Sequence, residues 1–271
     1  MRFIQDSLVE RAIRGISLRA IRRVERSGNA DIESNGEAGF LQDFLRFCAK
    51  AYPHGEITVI DGGAHKGNYL SKVCSGAQAL DVKVVVHAFE PSGVTFSELT
   101  QNHGDRPNVK FNNTALSDAN GTGTIHLRSD LSALASIYNR DLRSVGLALS
   151  QTEPIRLARL DTYIAVTGIE HIHLLKLDVE GSEYVALQGL GERLDSGFVD
   201  FVQFEYGGSN LDSRVPLKAF FDLFETRNFI VGRVFPRGLK LRPYSPWMDN
   251  FDYANFVAIS RAIHDRLLHP G

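Results

Sequence analysis

The chain has 271 residues, 43% hydrophobic and 23% charged, with a formal net charge of −2. That balance can supply the core of one large α/β domain, and it excludes the broad basic surface of a nucleic-acid binder. No apolar run reaches the roughly 18 residues of a membrane span, and Asp6, Glu10, Arg11 and Arg14 break up any apolar leader. In chain order, residues 3–26 predict a basic amphipathic helix. Ile4, Leu8, Ala12, Ile13, Ile16, Ala20 and Val24 fall at helical spacing among Arg11, Arg14, Arg19, Arg22, Arg23 and Arg26. A glycine- and asparagine-bearing linker follows at 27–39, then a helix over 40–51 stopped by Pro53. These segments form an N-terminal helical extension or lid, residues 1–52, ahead of a main domain at 53–271. Strands and helices then alternate: a strand at 57–60, a glycine-rich turn, a helix at 68–74, a strand at 82–89, and a helix to residue 102 with Pro91 in its first turn. A short strand at 109–112 and a half-exposed strand at 121–128 precede a polar stretch, 129–153, expected as an excursion over the sheet. A short helix at 157–164, a strand at 173–177, a helix at 182–190, a strand at 198–205 and a helix at 216–227 come next. The last two strands, 229–235 and 253–259, have only a loop between them and predict an antiparallel hairpin ending an otherwise parallel sheet. Cys48 and Cys74 show neither metal-type spacing nor a disulfide framework, which fits a reducing, cytoplasmic setting.

Ligands of open α/β sheets sit outside the carboxyl ends of the strands, so residues at those ends carry the chemistry. The run Leu174 to Glu183 places Asp178 and Glu180 there, and Glu205 ends the next core strand. Asp178 is the first candidate for the reacting region, Glu205 the second and Glu180 the third. Glu180 can equally serve backbone N–H groups at the start of the following helix. A buried strand also delivers Asp61 into a glycine turn, Asp61-Gly62-Gly63-Ala64-His65-Lys66-Gly67. Ala64 stands where a dinucleotide fingerprint needs its second glycine, and Asp61 adds negative charge where a pyrophosphate needs the opposite. Glu90 ends the second strand, placed to accept hydrogen bonds from both hydroxyls of a ribose. His65 could be a base or a supporting group, and mid-strand His87 reads as a satisfied core histidine. His171 and His173, at the far end of their strand, receive no role. Asp178, Glu180 and Glu205 could present oxygens to a divalent metal, but nothing in their spacing demands one, and no metal ligand is assigned.

Four elements occur in one order: the D-x-G-A-x-x-G turn, Ala88-Phe89-Glu90-Pro91, Ala115-Leu116-Ser117-Asp118, and the K-x-D-V-E-G run from Lys176 to Gly181. This series resembles the FkbM family of S-adenosylmethionine-dependent methyltransferases over roughly residues 57–260, with His65 where that family commonly has Asn. The resemblance implies a Rossmann-like class I methyltransferase fold, a seven-stranded, mostly parallel sheet with the C-terminal antiparallel hairpin. It implies that Asp61, Gly62, Gly63, Ala64, His65, Gly67 and Asn68 surround the methionine part of S-adenosylmethionine. Glu90 and Pro91 would lie at the ribose, Asn113, Ala115 and Ser117 at the adenine, and Asp178 beside the transferred methyl. It further implies O-methylation of a hydroxyl on a sugar, glycan or small natural product, with S-adenosylhomocysteine as product. A nicotinamide-dependent oxidoreductase and a non-catalytic cofactor-binding module are the alternatives, the first disfavoured by the glycine pattern. The acceptor pocket is expected from the N-terminal helices, residues 129–153, and the loop at 236–250 with Arg237, Lys240, Arg242, Tyr244 and Trp247. A homo-oligomer is compatible with the sequence.

Overall fold

The computed structural model describes residues 5–128, 135–140, 142 and 146–269. Residues 3 and 4 of the expected first helix, and part of the expected excursion, lie outside them. The helices are α1 (Leu8–Glu25), α2 (Glu37–Ala51), α3 (Asn68–Ala79), α4 (Gly93–His103), α5 (Leu160–Thr167), α6 (Glu183–Gln188), α7 (Ser209–Ser213), α8 (Leu217–Thr226) and α9 (Arg261–Leu268). The strands are β1 (Glu56–Gly62), β2 (Lys83–Phe89), β3 (Val109–Asn112), β4 (Ala115–Leu116), β5 (Gly121–Leu127), β6 (Gln151–Ala158), β7 (Ile172–Leu177), β8 (Val199–Tyr206), β9 (Phe229–Phe235), β10 (Gly238–Leu241) and β11 (Ala254–Ser260).

The main sheet has the order β10-β9-β11-β8-β7-β1-β2-β3. Strands β3, β2, β1, β7 and β8 run parallel, and β11 lies antiparallel between β8 and β9. This is the expected Rossmann-like, mostly parallel sheet with its closing antiparallel strands, eight-stranded rather than seven because of the edge strand β10. The central strands are buried on both faces, hence their near-continuous apolar sequence: all six residues of β7 are buried. On β8 the pleat sorts neighbours to opposite layers. Val202, Phe204 and Tyr206 meet α8, where Phe204 stacks on Phe220 at 4.7 Å between centroids. Phe201 faces α2, meeting Phe40, Phe44 and Phe47 edge-on. Helix α2, expected as part of an extension, thus shares a layer with α3 and α9; α5, α6 and α8 form the other.

Four expectations change. Residues 151–158, expected as excursion and helix start, form strand β6, which pairs with β5 and β4 in a separate three-stranded sheet. Only Ile155 of β6 is buried, and Pro154 interrupts the run, so no apolar strand signal reaches the sequence. The loop after β9 contains β10, joined through a turn at Pro236 and Arg237, and a 3₁₀ turn at Pro246–Met248. Pro91 precedes rather than enters α4, whose N-cap is Ser92. The helix after β7 is cut to Glu183–Gln188.

Candidate active site

At the β1/β7 boundary the chain leaves the sheet in opposite directions, which opens a crevice at the carboxyl edge. Along that edge Glu205 (β8), Asp178 (after β7), Gly63 (after β1) and Glu90 (after β2) follow one another. A cavity of about 390 Å³ lies over them, within the range that takes a cofactor-sized ligand. Its lining includes Gly63, Ala64, His65, Asn68, Glu90, Pro91, Ala115, Asp178, Glu180 and Glu205 among the residues expected there. Asp61, Gly62, Gly67, Asn113 and Ser117 are not part of that lining.

The turn after β1 is dictated by close approach. Gly63 has φ +78°, and a Cβ on it would fall 1.8 Å from the Asp178 carbonyl oxygen, so the two strand ends touch backbone to backbone. Gly67 opens α3 at φ +91°, against the His103 ring. Two non-glycine residues lining the cavity, His65 (φ 50°) and Glu180 (φ 52°), also occupy the left-handed region, a conformation that has to be held by its surroundings. His65 is held at its backbone, where its N–H donates to Glu90 Oε2 at 3.0 Å. Glu90 Oε1 accepts from the Ser92 N–H at 3.0 Å. Burial pushes the Glu90 carboxyl up to about 7, against the pull of those two donors.

Asp61 lies fully buried beneath the turn, 3.4 Å from the Lys176 ammonium, which sits 3.1 Å from Asp178 Oδ2. Burial alone would lower Lys176, but Asp178, Asp61, Glu37 and Glu205 outweigh it and hold the ammonium charged. Burial raises Glu205, and the charges of Asp178 and Glu180 raise it further. Its Oε1 accepts from the Tyr253 hydroxyl, which also accepts from Asn255 at 3.2 Å. Glu180 is raised by burial and by Asp178, with Arg140 bound to it as counterion. The helix-start role weighed for Glu180 falls to Glu183, whose Oε1 accepts from Val179 N–H and Gly181 N–H at 3.0 and 3.2 Å. Oxygens of Asp178, Glu180 and Glu205 lie within 4.8 Å of one another.

Glu37, Tyr69, Lys176 and Tyr253 line the same cavity and were not singled out from sequence as site residues. Gln203 ties Glu37 and Tyr69 together, donating to Glu37 Oε2 at 2.6 Å and accepting from the Tyr69 hydroxyl at 2.9 Å. Only Lys176 carried a usable signal, a lysine inside an apolar strand two residues before Asp178. At the other end the cavity is apolar: Phe89, Leu116, Ile125 and Ile137. Asn113 turns to the backbone, donating to the Glu90 and Pro91 carbonyls at 2.9 Å each, and Ser117 Oγ lies 3.3 Å from Asp118 Oδ1. Ala135, Ser136 and Ile137, with Glu37 at the start of α2, supply lining from two of the three regions expected to form an acceptor pocket, and Ala30 and Ile32 add the linker between the N-terminal helices. The third does not: Arg242 stacks on Trp247 and binds Glu25, Tyr244 donates to Asp249 at 2.6 Å, and no residue of 236–250 lines the cavity. His87 is buried with Nδ1 2.8 Å from the Tyr163 hydroxyl, as a core histidine should be.

The turn, the acidic strand end and the K-x-D-V-E-G run fall within a match to the family described as "Methyltransferase FkbM domain", which spans residues 61–231. The 2-O-methyltransferase NoeI of Sinorhizobium fredii is 27% identical over 168 residues, covering 58% of this chain and 68% of that protein. Among solved structures, an rRNA methylase from Streptococcus thermophilus matches at TM-score 0.41 and 13% identity, over 81% of this chain and 93% of that one. Aeropyrum pernix fibrillarin, solved with natively bound S-adenosyl-L-methionine, matches at TM-score 0.40 and 12% identity, over 76% and 66%. With more than half of its length matched by the family description, the chain belongs to the FkbM methyltransferase family.

Proposed function

We propose that the protein is an S-adenosylmethionine-dependent O-methyltransferase acting on a hydroxyl of a sugar, glycan or small natural product. The observation that carries this reading is one continuous cavity joining an apolar end, a glycine turn without a phosphate cradle, and an acidic end around Lys176. The residues fit the cofactor. Leu116, Ile125 and Ile137 suit an adenine ring, Glu90 retains acceptor capacity for ribose hydroxyls, and the Gly63 to His65 backbone suits the methionine part. When bound, S-adenosylmethionine supplies a methyl group already activated by a positive sulfur. The protein's share is to hold the acceptor oxygen in line and take its proton.

Asp178 is the base in this reading. It lines the cavity, and Lys176 fixes its carboxylate. Burial and neighbouring carboxyls raise both Glu205 and Glu180; Glu205 accepts from Tyr253 and Glu180 is bound to Arg140, so in this reading they serve as supporting groups beside Asp178. Glu37 and Tyr253 complete the polar wall that orients the acceptor. Calorimetric titration with S-adenosylmethionine and S-adenosylhomocysteine tests the first step; folded protein that gives no heat with either would sink it. Incubation with S-adenosylmethionine and a panel of sugars and hydroxylated metabolites tests the second, read as S-adenosylhomocysteine formed and methyl gained by the acceptor. Binding without transfer to any member would favour a non-catalytic module.

A further inference from the structure

Helix α1 belongs to neither layer of the fold. Among the described residues, none of its apolar side chains enters a hydrophobic cluster. Its moorings are polar and lie in its last two turns. Arg22 binds Asp252 through Nε and Nη2, at 3.0 and 2.7 Å. Buried Glu25 pairs with Arg233 at 3.4 Å and with Arg242. Arg233 Nη2 also donates to the Glu25 carbonyl at 2.7 Å, and the Gly28 N–H donates to Tyr253 O at 2.9 Å. At its start the helix is closed by a reciprocal cap between Ser7 and Glu10.

At about 100° per residue, Val9, Ala12, Ile13, Ile16, Ala20 and Val24 share one arc of roughly 120°. Arg22 and Glu25 point to the opposite side, so the arc faces away from the body. Val9 is 67% exposed, Ile13 59%, Ile16 66% and Val24 70%. Four exposed aliphatic side chains share this arc, while Leu8, Leu18 and Ile21, also exposed, lie off it. Arg19 borders the arc, and Arg23 falls within it, between Ala12 and Ile16. Residues 8–26 carry six arginines against two glutamates, in a chain whose net charge is −2. The helix is therefore a positive, apolar-edged rod on an acidic body.

We propose that α1 seats this arc on the surface of an anionic lipid bilayer. A bilayer interface accommodates both halves of the pattern: aliphatic side chains enter the acyl boundary while arginines meet anionic headgroups. A second copy of α1 packed along the same arc would bring Arg19 and Arg23 against like charges at the seam. A polyanion such as nucleic acid would satisfy the arginines and leave the aliphatic arc in water. Beyond the helix the chain passes through Ala30 and Ile32, which line the site cavity, so attachment would hold the enzyme by the segment that borders its site. The proposal itself does not depend on what that site does.

The test is co-sedimentation of the full chain with vesicles of phosphatidylcholine alone and of phosphatidylcholine mixed with phosphatidylglycerol, at low and high salt. The expected result is binding to the anionic vesicles only, lost at high salt. Ile13→Glu with Ile16→Glu should weaken partitioning tenfold or more. Arg19→Gln with Arg23→Gln should weaken it by about fivefold per arginine. Ile13→Ala with Ile16→Ala keeps helix propensity high and should give a smaller loss of the same sign, which separates lost apolar area from an unwound helix. Near-ultraviolet circular dichroism and the unfolding midpoint check that each variant's body is intact. Failure of wild-type protein to pellet with anionic vesicles overturns the proposal, as does equal pelleting by the Ile13→Glu/Ile16→Glu variant. A dimer in sedimentation equilibrium that the glutamate pair dissociates also overturns it, assigning the arc to a second copy.

Discussion

The two edges of the main sheet each carry a cluster of buried polar groups, and they are built differently. At the amino edge, Asp200 accepts from the Tyr52 hydroxyl at 2.9 Å and has His171 Nε2 at 3.1 Å, while His173 Nδ1 accepts from the Thr58 N–H at 3.0 Å. The cluster is closed by packing: His173 meets Tyr52 and His171 edge-on. Although ligand atoms of His171, His173 and Asp200 lie within 4.8 Å of one another, the Thr58 donor makes His173 Nδ1 an acceptor and so leaves the proton on Nε2, the nitrogen a metal would need. At the carboxyl edge, five carboxyl side chains (Glu37, Glu90, Asp178, Glu180 and Glu205) and one lysine line a cavity among the described residues. Polar groups closed off by packing hold a fold together; polar groups that also face a cavity are within reach of a ligand.

On that division, substitutions at the two edges separate into effects on turnover and effects on stability. The largest expected effect is on Asp178→Asn: turnover falls by about 10²- to 10⁴-fold, the usual contribution of a general base. Affinity for S-adenosylhomocysteine should stay within about tenfold by calorimetry, a change of no more than roughly 1.4 kcal/mol. Equal loss of both would move Asp178 from chemistry to cofactor binding. Gly63→Ala drives a methyl into the Asp178 carbonyl at a positive φ and should cost about 3 kcal/mol or more in denaturant unfolding, with cofactor affinity lost alongside. Asp200→Asn should cost about 1–3 kcal/mol in unfolding and leave cofactor affinity unchanged. A loss of affinity there would erase the distinction between the edges.

The smallest effect is a pH dependence at Glu90. Its carboxyl, normally near 4.5, is raised to about 7 by burial. A raised folded-state value favours the protonated carboxyl, so this stabilising contribution is complete below 4.5 and lost as pH rises through 7. The unbound protein should therefore lose more stability between pH 5 and 8 than Glu90→Gln, measured as the difference in unfolding midpoints. Affinity for S-adenosylhomocysteine should move the other way, rising through pH 7 as the carboxylate becomes a full acceptor, and should be flat in Glu90→Gln.

The central sheet could be read from sequence because β1, β2, β7 and β8 are buried on both faces and so declare themselves as apolar runs with charged ends. The same burial marked Asp178, Glu90 and Glu205, each the first or second charged residue after a run. Strand β6 escaped because a half-exposed strand has only its alternation to show, and Pro154 and Arg156 blur it. The polar wall of the site escaped for a different reason. Glu37 sits in a helix, Tyr69 in another and Tyr253 before the last strand, and only the strand order brings them to one place. No local pattern encodes a meeting of residues some two hundred positions apart.

The excess of carboxyls over cations around Lys176 bears on product inhibition. On the proposed function, a sulfonium entering this cavity meets an excess of carboxyl groups, whereas the thioether left behind is neutral at sulfur. Transfer itself removes part of the grip, by an amount set by the same carboxyls that drew the cofactor in. The ratio of product to cofactor affinity is then a property of the wall rather than of the turn, and Asp178→Asn, which removes the carboxylate paired with Lys176, should shift that ratio toward the product.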